Sequence, residues 1–324
     1  MTGPVPDSSG SVAIAVPMDP RAAEVIAAVV VTMNRPAELG RLLGRLVGQT
    51  RPLSAIIVVD NGLLDETRAV LADFPAAVHI SSRRNLGGAG GFALGILHAL
   101  AIGASAVWLM DDDGYPETDD CLARLAATMA EGHYAMVSPL IVDIADPGTL
   151  SFYHFAKGRS IRRRDEAVAL GSFPQFAHLF NGALVCADTF ERHGLPRYEL
   201  FFRGDETDFL FRLNRGGAKF VTTCEVAFLH PSGGPDTVPI MRGRFHAVIP
   251  ASPFARYYFH RNRGNLLREF GLAKAALFDL IRYGWAFLIT RRGDWAGFAN
   301  WLATVRLGWK RQFLPFAPRT DKSR

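Results

Sequence analysis

Asp111-Asp112-Asp113 is the sharpest chemical signal in this 324-residue sequence. Three adjacent carboxylates repel one another, and such a site is costly unless a cation neutralises it. Oxygen ligands suit Mg2+ or Mn2+, ions that commonly bridge to substrate phosphates. In an extended segment the first and third side chains point the same way, so Asp111 and Asp113 can share one ion. The plainer alternative is a solvated acidic turn. A second cluster, Asp205-Glu206-x-Asp208, follows aromatic and apolar residues. Beside a metal–phosphate site one of these carboxylates can serve as general base toward an acceptor hydroxyl. Taken alone, the cluster reads as an ordinary helix N-terminus, where acids favour the dipole. His230 closes an apolar strand just before Pro-Ser-Gly-Gly, while the other eight histidines read as structural.

These residues need a scaffold, and the pattern supplies an α/β one. Val25–Val31 is a continuous apolar run, as expected of a strand buried on both faces. A helix with Leu39, Leu42, Leu43 and Leu46 on one stripe follows. Further strands are expected at 55–59, 78–81 and 106–110, with a helix at 88–101. This alternation predicts a mostly parallel sheet flanked by helices. Ligands of such sheets sit at the carboxyl ends of the strands, where Asp60, Asn61, Asn85 and Asp111–Asp113 all fall. Phe180–Val185, Lys219–Val221 and Ala227–Leu229 read as further short strands, and a short helix runs from the second acidic cluster through Leu213.

In and just after the turn Asn85-Leu-Gly-Gly-Ala-Gly-Gly91, Gly88, Gly90 and Ala93 fall in the spacing G-x-G-x-x-A. A dinucleotide fingerprint belongs after the first strand, with an acid about 20 positions on. Here the first strand ends in Thr32-Met-Asn-Arg-Pro36, without glycine. The glycines either admit a ligand close to the backbone or make a tight packing turn.

Composition excludes a disordered chain, since 49% of residues are hydrophobic and 21% charged. Three widely spaced cysteines offer neither a disulfide framework nor a paired metal motif. No apolar run is long enough to span a bilayer, and residues 1–20 do not read as a secretory signal. The net charge of +5 hides an asymmetry: residues 241–324 carry 16 Lys/Arg against 4 Asp/Glu, and the rest 20 against 27. The expected organisation is a loose tail at 1–20, a catalytic domain at 21–240 and a basic helical region at 241–324. Four of the five tryptophans lie in that last region. Trp295, Phe298, Leu302, Val305 and Trp309 recur there at helical spacing, which suits either an interfacial helix on anionic lipid or a cap packed on the catalytic domain. No recognition motif supports nucleic-acid binding.

The ordered set resembles the family 2 glycosyltransferases of the GT-A fold. It comprises Val29-Val-Val-Thr-x-Asn-Arg-Pro36, Val58-Val-Asp-Asn61, Arg84-Asn-Leu-Gly-Gly-Ala-Gly-Gly-Phe92, the Asp triplet, Phe180-Asn-Gly182, Gly204-Asp-Glu206 and Leu229-His230. Leu179-Phe-Asn-Gly-Ala-Leu184, Arg203-Gly-Asp-Glu206 and Tyr258-Phe-His-Arg-Asn-Arg-Gly264 carry a closer likeness to the galactan-initiating galactofuranosyltransferases of mycobacteria and their relatives. The resemblance implies transfer of galactofuranose from UDP-galactofuranose, with inversion, to a polyprenyl-diphosphate-linked N-acetylglucosamine–rhamnose. It implies β-1,4 and β-1,5 linkages that begin cell-wall galactan, made at the cytoplasmic face of the membrane by a peripheral protein. By the same resemblance Asp111, Asp113 and His230 would hold Mn2+ or Mg2+. Thr32, Arg35, Asp60, Asn61, Arg84, Asn85, Gly88 and Asp112 would bind the nucleotide sugar, and Asn181, Gly182 and Asp208 the acceptor. Glu206 or Asp205 would be the base. The related galactan-elongating enzyme has Trp-Asp-Asp where this chain has Gly204-Asp205-Glu206, so both carboxylates remain candidates. A rhamnosyltransferase of the same fold and a noncatalytic nucleotide-sugar-binding subunit of a membrane complex are the competing functions.

Overall fold

The computed structural model describes residues 25–156, 158–232 and 236–317; the tail expected at 1–20 lies outside them. The first half alternates as the pattern demands: β1 (Ile26–Thr32), α1 (Pro36–Val47), β2 (Ala55–Asp60), α2 (Asp65–Ala72), β3 (Ala77–Ser81), α3 (Gly87–Ala101) and β4 (Ala106–Asp111). Pro36 starts α1, where its missing N–H costs nothing, and Leu39, Leu42, Leu43 and Leu46 bury its inner stripe. Then come β5 (Tyr115–Pro116), α4 (Cys121–Gly132), β6 (Met136–Asp143), β7 (Thr149–Ala156), β8 (Arg159–Arg163), α5 (Arg164–Val168) and β9 (Ser172–Pro174). The sheet-bearing part of the chain closes with β10 (Asn181–Cys186), α6 (Ala187–His193), α7 (Asp205–Arg215) and β11 (Phe220–His230).

The sheet runs β3-β2-β1-β4-β10-β6-β11-β5. The first four strands are parallel, β6 and β11 are parallel to each other, and β10 is antiparallel to both its neighbours. Val30, Val58, Trp108 and Met110 face one apolar layer with the stripe of α1. Val29, Val31, Val59 and Leu109 face the other, with Phe92 of α3 and Phe209 of α7. Burial of both faces explains why these strands read as continuous apolar runs. The two short strands expected near 220 and 228 are one strand, β11. Its pairing with β6 shifts register between Thr222 and Ala227, and that irregularity interrupts the apolar pattern.

The C-terminal region begins with a hairpin of β12 (Thr237–Ile240) and β13 (Phe245–Val248). The boundary expected after residue 240 therefore falls inside this hairpin. α8 (Pro253–Glu269), α9 (Ala273–Gly284), a π-helical segment at Trp285–Thr290 and α10 (Trp295–Trp309) follow. Ile240, Ala247, Tyr283, Phe287 and Trp301 form a small core of their own. Trp301 stacks on Tyr283 at 4.7 Å, whereas Trp295 and Trp309 are exposed. The buried line of α10 is thus Trp301, Thr304 and Gly308 rather than the expected stripe. Gly308 is required there, because a Cβ would lie 1.6 Å from the Arg261 carbonyl oxygen of α8. Among the described residues, no helix is long and apolar enough to cross a membrane.

Candidate active site

Parallel pairing brings three strand ends together: Thr32 lies opposite Asp60, and Val31 opposite Asp111. Beside them β10 lays Asn181 opposite Met110. Above these ends opens a cavity of about 920 Å³. Thr32, Arg35, Asn61, Asn85, Gly88, all three aspartates of the triplet, Asn181, Asp205 and Glu206 line it.

The triplet splits into three environments. Asp112 accepts hydrogen bonds from the Thr32 hydroxyl at 2.7 Å and from Arg35 at 3.1 Å. It is 4% exposed, and burial outweighs these partners, so its pKa lies above the usual carboxylate range. Asp113 meets Arg35 at 2.7 Å and faces His230 Nε2 at 3.4 Å. Burial works against its ionisation, but His230 and Arg35 win and hold its carboxyl down at about 2. Asp111 is pushed well above its ordinary value, first by burial and then by Asp113, Asp112 and Asp205.

β5 explains how His230 reaches the triplet. Tyr115 pairs with Leu229, so Asp113, two residues before this pair, and His230, one residue after it, become neighbours. Gly114 permits the approach, since a Cβ there would sit 2.5 Å from the Phe228 ring and 2.8 Å from the Leu229 carbonyl oxygen. The His230 Nδ1 lies 2.7 Å from the Pro231 carbonyl oxygen, which directs Nε2 toward Asp113.

Asp111, Asp113 and His230 do not form a ready-made cage; among the described residues no three His, Cys, Asp or Glu side chains gather closely enough to hold an ion alone. The donor set nevertheless fits a hard divalent cation whose shell a diphosphate completes. Asp113 Oδ1 is buried and lacks a hydrogen-bond partner, and oxygen ligands with open positions for phosphate are what Mg2+ and Mn2+ use.

Glu206 and Asp205 open α7. One Glu206 oxygen accepts the Leu179 N–H at 2.5 Å, which fixes its carboxylate at the cavity wall. Burial raises Glu206 to about 7 against that hydrogen bond, with a smaller push from Asp205. Burial likewise raises Asp205 to about 6, opposed by its own N–H and that of Glu206. Asn181 Oδ1 is buried and unpartnered in the same wall.

Other anticipated residues sit elsewhere. Asp60 is fully buried and accepts the Gly62 N–H at 2.8 Å, and its other oxygen faces His79 at 3.6 Å. Arg84 is exposed, and it is outside the cavity lining. Gly182, with φ of 85°, is a bulge whose carbonyl oxygen accepts the Trp108 indole N–H at 2.8 Å. Asp208, expected at the acceptor, is fully buried against Arg212 at 2.9 Å and Arg197 at 3.5 Å and is outside the cavity lining. In the glycine turn, Gly87 packs on the Phe201 carbonyl oxygen and Gly91 on Val31, and further along α3 Gly95 packs on Val29. Only Gly88 faces open space. Most of that run is therefore a close-packing device.

Residue spacing does not reveal what α8 contributes to the site. Its Asn262 side-chain amide donates to the carbonyl oxygens of Leu200 at 2.7 Å, Phe202 at 3.1 Å and Arg203 at 2.5 Å. Arg261 donates to those of Glu199 and Leu200, both at 2.9 Å. Together they pin the loop that delivers Asp205 and Glu206. The only signal was the run Tyr258-Phe-His-Arg-Asn-Arg-Gly264. Asn262→Ala leaves these carbonyls short of a donor, and a loss of roughly 1–3 kcal/mol of stability is expected, with a lower kcat. Urea denaturation and initial-rate kinetics check both.

A mostly parallel sheet thus brings a strand-end acidic triplet and a second carboxylate pair to one cavity. Residues 27–181 match the family described as Glycosyl transferase family 2. Over 297 residues the chain is 44% identical to galactofuranosyltransferase GlfT1 of Mycobacterium tuberculosis, covering 90% of this chain and 97% of that one. Identity to the GlfT1 of Mycolicibacterium smegmatis is 41%, covering 90% and 98%. Among solved structures, GalNAc-T7 with UDP, GalNAc and Mn2+ shares the fold, with a TM-score of 0.54 at 14% identity over 75% of this chain and 47% of that one. The chain belongs to the galactofuranosyltransferase GlfT1 family within the family 2 glycosyltransferases, and it is an enzyme.

Proposed function

We propose that this enzyme transfers galactofuranose from UDP-galactofuranose, with inversion, to a polyprenyl-diphosphate-linked N-acetylglucosamine–rhamnose. It would add the first galactofuranoses of cell-wall galactan through β-1,4 and β-1,5 linkages. The observation that carries the reading is one cavity lined by both Asp111/Asp113 and Asp205/Glu206, in a chain 44% identical to a galactofuranosyltransferase.

Asp111 and Asp113, with His230 behind Asp113, would hold Mn2+ or Mg2+ against the donor diphosphate. The bound ion would stabilise negative charge developing on the leaving phosphate. Arg35 ties Asp112 and Asp113 to the start of α1 and keeps the triplet in place. Thr32, Asn61, Asn85 and Gly88 line the same cavity and would bind the nucleotide. Glu206, held by Leu179, would take the proton of the acceptor hydroxyl as its oxygen bonds to the anomeric carbon. The bond from that carbon to the phosphate oxygen breaks on the far side, UDP leaves, and one displacement inverts the centre.

The surface supports work beside a membrane. Leu277, Phe278, Leu280 and Ile281 of α9 and Trp295 of α10 are all exposed, in a region rich in arginine and lysine. Peripheral attachment to an anionic cytoplasmic leaflet suits that composition. The test is mass spectrometry and linkage analysis of the product from UDP-galactofuranose and a lipid-linked rhamnosyl acceptor. One or a few β-linked additions are expected. Transfer only from another nucleotide sugar contradicts the donor, and tight UDP binding without turnover contradicts catalysis.

A further inference from the structure

Two arginines in the cavity have no part in the transfer chemistry above. Arg263 of α8 and Arg282 of α9 both line it. They share one carboxylate: Arg263 Nε lies 2.7 Å from Asp279 Oδ2, and Arg282 Nη2 bonds to Asp279 Oδ1. Asp279 is 2% exposed. A single carboxylate balances only one of the two cations, so the cluster keeps a net positive charge. Each guanidinium has five N–H donors, and each gives one hydrogen bond to Asp279. Arg282 Nε is buried without a hydrogen-bond partner. The Arg282 guanidinium also lies 5.4 Å from the Phe278 ring and 5.3 Å from the Tyr283 ring, which steadies its plane. A fixed pair of forked donors with surplus positive charge is built for phosphate oxygens.

The neighbouring surface narrows the ligand further. Leu277, Phe278, Leu280 and Ile281, on the turn of α9 that leads to Arg282, are exposed and apolar. An anion site whose Arg282 shares helix α9 with an exposed apolar run suits a molecule with a charged head and a hydrocarbon tail. We propose that Arg263 and Arg282, set by Asp279, bind the diphosphate of the lipid-linked acceptor, and that its prenyl chain leaves across the exposed face of α9. The proposal rests on the acceptor class given above. It separates two diphosphates in one cavity: the donor's beside Asp111 and Asp113, the acceptor's beside Arg263 and Arg282.

The test uses the full chain, UDP-galactofuranose and two acceptors bearing the same N-acetylglucosamine–rhamnose, one as a farnesyl diphosphate and one as an uncharged octyl glycoside. The wild type is expected to favour the diphosphate acceptor in KM. Arg263→Gln and Arg282→Gln should each cut that preference by about 10- to 100-fold, the size of a lost charged hydrogen bond. Arg263→Lys and Arg282→Lys, which keep the charge, should cut it less. UDP affinity by calorimetry verifies that each variant is folded. An equal KM change for both acceptors, or a shift in UDP affinity instead, overturns the proposal. So does loss of binding to phosphatidylglycerol vesicles with the acceptor preference intact, since the arginines would then serve a headgroup. If no acceptor is used at all, the transfer reading fails, and farnesyl diphosphate binding under saturating UDP, followed by tryptophan fluorescence, decides the site. Weaker binding in Arg282→Gln upholds it, and unchanged binding overturns it.

Discussion

Asp113→Ala is expected to lower kcat/KM for galactofuranosyl transfer by about 10²–10³-fold or more, the scale on which removal of one preorganised electrostatic group is felt. Asp113 has two charged or chargeable neighbours: Arg35 lies 2.7 Å from Oδ2, and His230 Nε2 lies 3.4 Å from Oδ1, a buried oxygen with no hydrogen-bond partner. Those two partners overcome its burial and keep it ionised down to about pH 2, so it offers a full negative charge at any working pH. Without it, Asp111 would face the diphosphate alone, and its own pKa is raised well above normal by burial and by neighbouring carboxylates. Initial rates at several Mn2+ concentrations, with calorimetry of UDP, measure the effect. The loss should appear in UDP affinity as well as in turnover. Asp113→Asn, which keeps the shape and removes the charge, should behave nearly as badly. Full metal-dependent activity in either variant would remove Asp113 from the account.

The second large effect is expected at Glu206. Glu206→Gln should reduce kcat by about 10²–10⁴-fold, the usual weight of a positioned general base, with UDP affinity little changed. The glutamine can keep the hydrogen bond from the Leu179 N–H but cannot take a proton. The pH dependence has a definite sign. Burial, against the Leu179 hydrogen bond, raises the Glu206 pKa to about 7. The carboxylate is the active form of a base, so kcat should rise with pH through about 7 and level off above it. That limb should vanish in the variant. Asp205 is pushed up only to about 6 by burial, and its oxygens already meet the first N–H groups of α7. Asp205→Asn is therefore expected to cost less. A larger loss in Asp205→Asn, with the pH limb gone, would transfer the base role to Asp205.

Much of the scaffold was legible because its period is simple. β1, β2 and β4 are buried on both faces, so their residues form unbroken apolar runs, and α1 carries a leucine stripe. β6 was hidden: Pro139 sits inside it, and proline argues against a strand. The strand tolerates it because the register with β11 is irregular beyond Thr222. The C-terminal hairpin was invisible for another reason. Its strands are four residues each and bury only Ile240 and Ala247 against the helices.

The site divides in the same way. The acidic triplet and Asp205-Glu206 stand out in the sequence because adjacent carboxylates repel one another and are costly without a neutralising partner. Asp60 and Asp208 share that residue type, yet one caps a turn and the other pairs with arginines inside the fold. Residue type and spacing do not distinguish an acid facing a cavity from one facing a buried guanidinium. Nor does the sequence reveal that Asn262, some sixty residues away, fixes the loop before α7. Such dependence on side-chain direction across distant segments appears only in three dimensions.

The most direct measurement is electron paramagnetic resonance of Mn2+ titrated into the protein with and without UDP. Capture of one Mn2+ per chain only when UDP is present, and loss of that capture in Asp113→Ala, is the predicted result. A spectrum of free Mn2+ at every UDP concentration, or unchanged capture in Asp113→Ala, would contradict it.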